Sequence, residues 1–376
     1  MSVNDICQRA LDAGQEVRLI SIDFSAAFDR VNHAGIVYQL QAVGIGGSIL
    51  NIFQEYLTNR SQTVVVDGQA SRRVDIISGV PQGSVLGPLM FNIYTRDLSS
   101  IFENTFFAYA DDSTLVAVIP SPMHRHAVAW SLIRDLVKLQ AWCIAWGMML
   151  NLSKTKAMLM SRSRTLLPAH PDIRVNNIAL ENVDELRILG MTLDTKLTFE
   201  THLRSVVSAA AQKIGILRLA WSIYRDESVV SRCFWSLLLP ILEYCSPVWG
   251  SSAEGHLALL DRIVSRVTQM SNGLVQCDLQ HRRNVAALCM LYKVRANAAH
   301  PLNSRLPLPY MAPRPLRRHA QQHAHQLSAV HSRTSQYQRT FVPEISRLWN
   351  SLGQTVTFEE GLQKFKTTAH RYLLHN

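Results

Sequence analysis

Apolar positions change period along the chain, and the order of the changes predicts a mixed α/β first half followed by a helical remainder. Val17 to Phe24 is apolar on both faces and sits between Gly14 and the small residues Ser25 to Ala27, the pattern of a buried central strand. Ile36, Val37, Leu40, Ile49, Ile52, Phe53 and Leu57 recur at helical spacing around Gly44, Gly46 and Gly47, which predicts two helices and a turn. Thr63 to Val66 and Arg73 to Ile77 flank Asp67-Gly68, a hairpin signal. The Gly/Pro loop Ser78 to Gly83 leads into an apolar helix from Val85 to Leu98, with Ser84 as its cap and Pro88 in its first turn. Thr105 to Tyr109 and Thr114 to Ile119 read as strands of a second hairpin with Ala110-Asp111-Asp112-Ser113 at its tip. His124 to Trp146 is helical by period, with Trp130, Ile133, Val137, Ala141 and Ala145 on one stripe.

Beyond Lys156 come short strands, Ala157 to Met160 and Arg187 to Leu193, then helices Thr201 to Tyr224, Ser228 to Tyr244 and Gly255 to Met270. Five prolines between Pro301 and Pro315 predict a linker, before a last amphipathic stretch holding Phe341, Ile345, Leu348 and Trp349, then Phe358 to Leu374. There are no internal repeats.

At 376 residues and 47% hydrophobic, the chain has enough apolar material for two or three domains, whose expected limits are 1–195, 196–275 and 276–376. Its six cysteines are scattered without CxxC pairs and no hydrophobic signal segment precedes them, which points away from a secreted disulfide framework. An intracellular, reducing location, nucleus or cytoplasm, is expected. The longest apolar runs, such as Trp235 to Leu242, fall short of the roughly 20 residues of a membrane span, so no membrane partner is expected. The net charge of +10 is local: 279–343 contains ten Lys and Arg and no Asp or Glu. With His300 and, in its second half, His319, His323, His325 and His331, that block reads as a phosphate-binding surface, the alternative being a solvated basic tail.

Three aspartates stand at strand ends: Asp23, and Asp111 with Asp112. Carboxylates there project from a rigid element into open space, as a hard cation requires. Two or three of them, brought together by a sheet, can bridge two Mg²⁺ ions about 3.5–4 Å apart, the arrangement used for nucleotidyl transfer. An aspartate pair in a hairpin is otherwise a common turn former. The surrounding segments decide between these readings. SIDFSAAFDRVNH (Ser21 to His33), SGVPQGSVLGPLMFNIY (Ser78 to Tyr94), FAYADDSTL (Phe107 to Leu115), WGMMLNLSKTK (Trp146 to Lys156) and ELRILGMTLD (Glu185 to Asp194) occur in that order. Each resembles a block of reverse transcriptases, and their wording is most similar to the polymerases of non-LTR retrotransposons of the LINE or jockey type.

The resemblance implies an α+β palm, a ferredoxin-like antiparallel sheet with helices on one face, over 1–195 with partial fingers. A helical thumb-like region (196–275) and a basic C-terminal region (276–376) with its Pro-rich linker at 301–315 would follow. It implies an RNA-directed DNA polymerase that extends a DNA primer on an RNA template with dNTPs and two Mg²⁺ ions, Mn²⁺ being an alternative. By position, Asp23 and Asp111 resemble the principal metal ligands, Asp112 the third carboxylate, and Phe24 a donor of its carbonyl to the second metal. Phe28 falls where the family places its bulky sugar gate, and plain core packing is the alternative. Pro81, Gln82 and Gly83 resemble the loop at the templating base and incoming nucleotide; Tyr109 would lie near the primer end. Lys154 matches the lysine that protonates pyrophosphate, and Leu189 with Gly190 falls in the primer-grip block.

Trp221, Trp235 and Trp249 have the spacing of helical core, and Cys277, His281, Cys289 and His300 match no usual zinc knuckle. Only sixteen residues precede Val17, so an N-terminally truncated frame is expected, with the fingers and endonuclease regions missing or supplied separately. The rival reading is a catalytically inactive nucleic-acid-binding remnant of such an element.

Overall fold

A computed structural model describes residues 1–162, 169–309, 326–352, 356–358 and 361–375. The chain divides into two units, Gln15–Leu189, and Met1–Gly14 with Gly190–Asn376.

In the first unit, β1 (Glu16–Ile22) occupies the middle of a five-stranded sheet with β2 (Thr105–Tyr109), β3 (Asp112–Ile119), β4 (Lys156–Met160) and β5 (Glu181–Asn182), in the order β5-β4-β1-β3-β2. Neighbours are antiparallel except β5, which runs parallel to β4. Val17, Leu19, Ile20 and Ile22 are all buried, as the two-faced apolar run predicted, with Leu19 opposite Val116 on one side and Met158 on the other. Ile20, Ile22, Leu115, Ala117 and Ala157 share a core with two helices, α1 (Leu86–Tyr94) and α2 (Arg125–Trp146).

The buried face of α2 is not the one predicted. Ala129, Leu132, Leu136, Leu139, Trp142 and Cys143 point inward, while Trp130 and Val137 are exposed. Alanines and aromatics lie on both sides of this helix, so its period alone does not select a face. What selects it is anchoring: Arg125 at its start meets Glu16 at the start of β1 in a buried ion pair of 2.7 Å, and Asp135 accepts from the backbone N–H groups of Glu103 and Asn104. Burial pushes the Glu16 carboxyl up, but bonds from Arg125 and Ser161 prevail and hold it below the ordinary range.

The hairpin around Asp67-Gly68 forms, as two short exposed ladders, Ser61–Gln62 with Val74–Asp75 and Val65–Val66 with Gln69–Ala70. α1 ends at Tyr94, earlier than predicted, because the chain turns into a 3-10 segment at Leu98–Ile101.

The second unit is helical. α3 (Glu200–Tyr224) packs on α4 (Glu254–Met270), burying Leu203, Ala210, Ile214 and Leu217. By length and composition α3 is the one described helix long and apolar enough for a membrane span, a property that apolar helices of packed bundles share. The predicted helix Ser228 to Tyr244 is broken: a π-helical turn, Phe234–Leu238, precedes Pro240, which has no N–H to continue the α ladder. Trp249 is buried, whereas Trp235 is substantially exposed and carries Arg282 over its ring. α5 (Leu279–Ala296), α6 (Phe341–Ser351) and α7 (Leu362–His375) enclose a core of Leu288, Leu291, Val294, Trp349 and Phe365, with Trp349 stacked 4.3 Å from Phe358. Leu302 and Leu306 belong to that core, so the predicted linker is packed structure up to 309; its remainder, 310–315, lies outside the described residues.

Candidate active site

The acidic residues come together through strand register. β1 pairs Ile22 with Ser113, so one further step along each strand brings Asp23 and Asp112 to the same end of the sheet. Asp112 pairs with Tyr109, leaving Ala110 and Asp111 as a two-residue hairpin loop with Ala110 at φ +54°. The tip is therefore shorter than the four residues predicted, because Asp112 and Ser113 already belong to β3. Asp111 and Asp112 are exposed and Asp23 is half-buried.

The Asp112 carboxyl is raised above its ordinary range, first by partial desolvation at the sheet end and then by the negative charges of Asp111 and Asp23. Three carboxylates thus share one neighbourhood, and among the described residues no Lys, Arg or His pairs with any of them. An uncompensated acidic cluster at a sheet end suits a divalent cation. Among the described residues, no group of three or more His, Cys, Asp or Glu side chains is placed to hold a metal ion by itself. An ion here would share its shell with water or phosphate, as Mg²⁺ ordinarily does.

The backbone of Asp23 is clamped. Its N–H donates to the Thr155 hydroxyl at 3.3 Å, and that hydroxyl donates to the Asn151 carbonyl at 2.8 Å. The Asn151 N–H donates to the Asp23 carbonyl at 2.8 Å, and Ser25 N–H donates to the Met149 carbonyl. These bonds bracket the bridge between Phe24 and Leu150. Thr155 and Asn151 were not singled out from sequence. They lie within the Trp146 to Lys156 block, but their contact with Asp23 is made across 132 positions for Thr155, which no local pattern reveals. Lys154 is in the same turn, exposed, its N–H bonded to Asn151.

The loop 78–83 is docked on 28–33. Val80 N–H donates to the Phe28 carbonyl, Gly79 N–H to that of Val31, and Gln82 Nε2 to Asp29 Oδ1 at 2.9 Å. Gly79 has φ +85°, and a Cβ there would meet the Asp29 backbone at 2.8 Å, so only glycine fits. Ser84 caps α1 as predicted, accepting from Gly87 N–H at 2.9 Å. Gln82 and Gly83 are exposed and Pro81 half-buried, so the loop presents its tip to solvent beside a cleft lined by Asp29, Arg60 and Asp75. Phe28 is half-buried and stacks on Phe91 at 4.6 Å, so packing occupies at least one of its faces. Tyr109 is 69% exposed at the end of β2. Leu189 and Gly190 form the turn between Glu185–Ile188 and Met191–Asp194, with φ +47° and +79°.

This arrangement has a counterpart among known families. Residues 2–193 match the family model described as reverse transcriptase (RNA-dependent DNA polymerase). The chain belongs to the reverse transcriptase family. Two curated relatives of this chain, both from Drosophila melanogaster, are a probable RNA-directed DNA polymerase from transposon BS and the RNA-directed DNA polymerase from mobile element jockey. The first is 29% identical over 66% of this chain and 28% of its own length; the second is 30% identical over 63% and 26%. The chain therefore spans little more than a quarter of either relative. Among solved structures, telomerase from Candida tropicalis with a fragment of telomeric RNA aligns at a TM-score of 0.39 and 12% identity, over 80% of this chain and 47% of that one.

Proposed function

We propose that the first unit is the catalytic palm of an RNA-directed DNA polymerase from a non-LTR retrotransposon, extending a DNA primer on an RNA template with dNTPs. The observation that carries this reading is the strand register that brings Asp23 and Asp112 to one sheet end beside Asp111, with no cationic side chain paired to any of them among the described residues. Asp23 and Asp111 would hold the metal ions with the Phe24 carbonyl, and Asp112 would support them. Two Mg²⁺ ions supply activation of the 3′-hydroxyl and stabilisation of the triphosphate charge. The protein's own part is positioning: Thr155 and Asn151 fix the Asp23 backbone, so its carboxylate need not reorganise when a cation arrives.

Phe28, held against Phe91, would limit the space beneath the sugar and disfavour a 2′-hydroxyl. The docked loop through Pro81, Gln82 and Gly83 would contact the templating base and incoming nucleotide, and Tyr109 the primer end. Lys154 would protonate the departing pyrophosphate. The turn Leu189-Gly190 would grip the primer strand.

The test is primer extension by the full chain on an RNA template with dNTPs and Mg²⁺. Asp111→Asn is expected to lower the rate about a hundredfold or more, the scale for losing one electrostatic stabiliser of the transition state. Undiminished extension by this variant would overturn the ligand assignment. Tight template binding without extension by the unmodified chain would favour the inactive binding remnant.

A further inference from the structure

The second unit contains a charged groove that the polymerase chemistry does not use. Its walls are two helical stripes. From α5 come Arg282, Val285, Cys289 and Lys293, and from α7 come Lys366 and His370. Each set recurs at three or four residues, so each lies along one face of its helix and both faces line the same depression. Burial pushes the Cys289 thiol up, and Lys366 and Lys293, which line the same depression, both act against that shift from within electrostatic reach of it. Both lysines are exposed, and neither has an ion-pair or hydrogen-bond partner among the described residues.

The other ionic groups in the groove are satisfied. Arg282 is paired with Glu243, and His281 shares a 2.6 Å hydrogen bond with His370, with burial first and its neighbour His370 second disfavouring protonation of His281. With Glu243 cancelled by Arg282, the lining carries the two lysine charges as its excess. Between them lies an apolar floor that includes Val285, Ala286 and Met290.

We infer that this groove between α5 and α7 binds the phosphodiester backbone of a single-stranded nucleic acid, with Lys293 and Lys366 on the phosphates and the floor against sugar or base. Arg282 and Lys293 stand eleven positions apart on one helix, about 16 Å at 1.5 Å per residue. That is room for about four or five stacked nucleotides at 3.4 Å each. An acidic peptide would satisfy the lysines but makes no use of a floor suited to flat, apolar surfaces. This site is independent of the polymerase reading and stands or falls without it.

The experiment measures fluorescence anisotropy of a labelled oligonucleotide of about twelve residues with the full chain across a salt series, a length within the range such grooves hold. RNA and DNA of one sequence are compared, and unlabelled polyglutamate is added as competitor. Lys293→Glu with Lys366→Glu is compared with an equal charge reversal elsewhere in the unit, Arg262→Glu with Arg266→Glu on the exposed face of α4. The groove pair is expected to weaken binding about tenfold or more and to reduce the salt slope by about 1.4, two contacts at 0.7 each for a single strand. The α4 pair is expected to change the affinity less than about threefold, as surface charges acting only at long range do. A tighter complex with RNA or with DNA identifies which strand the groove takes. Equal losses from both pairs, unchanged binding by the groove pair, or displacement by polyglutamate at equal charge would overturn the inference. Lys293→Gln with Lys366→Gln guards against misfolding from charge reversal, and its expected loss is in the same direction. Because no extension is measured, an inactive polymerase would leave these outcomes unaffected.

Discussion

Replacing Thr155 by valine isolates what holds the first aspartate in place. Thr155 is fully buried, and its hydroxyl accepts from Asp23 N–H and donates to the Asn151 carbonyl. Valine keeps the volume and loses both bonds. The Asn151 carbonyl retains its bond from Thr155's own N–H, whereas the Asp23 N–H is left without an acceptor. An unsatisfied buried donor costs about 1–3 kcal/mol. At about 2–4 °C per kcal/mol for a domain of this size, the melting temperature is expected to fall by roughly 2–12 °C. Thr155→Ser is the control: it loses a buried methyl, worth about 0.8 kcal/mol, but keeps the hydroxyl. Primer extension well below both melting transitions then separates stability from positioning. Valine is expected to lower the rate and to raise the Mg²⁺ concentration needed for half-maximal rate, and serine to leave both near the original values. A valine variant that melts lower yet extends with unchanged Mg²⁺ dependence would refute the claim that this hydroxyl presets Asp23.

Asp112→Asn is expected to lower extension by less than Asp111→Asn does, while leaving the melting temperature unchanged or higher at pH 7.5. The sign follows from the raised Asp112 carboxyl: its charged form is disfavoured on folding, so relief by Asn is full above the folded pKa and disappears as pH falls below the ordinary carboxylate value, a trend that melting curves at several pH values would measure. Arg125→Met should destabilise the first unit by about 3 kcal/mol, the lower end for breaking a buried pair, because Ser161 still donates to Glu16. As the Glu16 carboxyl is held low, that stabilisation is present above the ordinary carboxylate range and is lost as pH falls through the folded pKa; denaturant titrations should therefore show the acid sensitivity of the original chain blunted in the variant. Phe28→Val removes the ring stacked on Phe91 and should raise ribonucleotide incorporation relative to deoxynucleotide by about tenfold, the scale of one or two kcal/mol of lost steric discrimination, measured as the ratio of kcat/KM values.

The parts of this molecule legible in its sequence are those where local pattern and tertiary burial agree. β1 is buried on both faces, and its apolar run admits no other reading. The Asp67-Gly68 hairpin and the Ser84 cap follow from turn and cap chemistry within four residues. The three aspartates could be ranked as a site because motif order carried information that spacing alone lacks. What could not be read depends on partners distant in the chain. The exposed Trp130 and Val137 of α2 looked like a core stripe because apolar residues surround that helix, and the anchors that set its rotation, Glu16 and the Glu103-Asn104 backbone, come from other elements.

The basic block shows the same limit in electrostatic form. Counted along the sequence, 279–343 contains no acid to balance ten cations, yet folding brings Glu243 to Arg282, Asp5 to Arg305, the Pro307 carbonyl to Arg295, and the Ala13 carbonyl to the Arg333 guanidinium. Cations committed in this way hold the helical unit together and are poorly placed to gain from a phosphate, since each would first lose a partner. Local charge density therefore overstates how much of the block is available for binding. Lys293, inside the block, and Lys366, outside it, have no ion-pair partner among the described residues and line one groove. A ligand that follows the charge should therefore follow the groove across the sequence boundary, so deletion of 279–343 alone tests the fold of the unit, whereas paired substitution at Lys293 and Lys366 tests the binding surface.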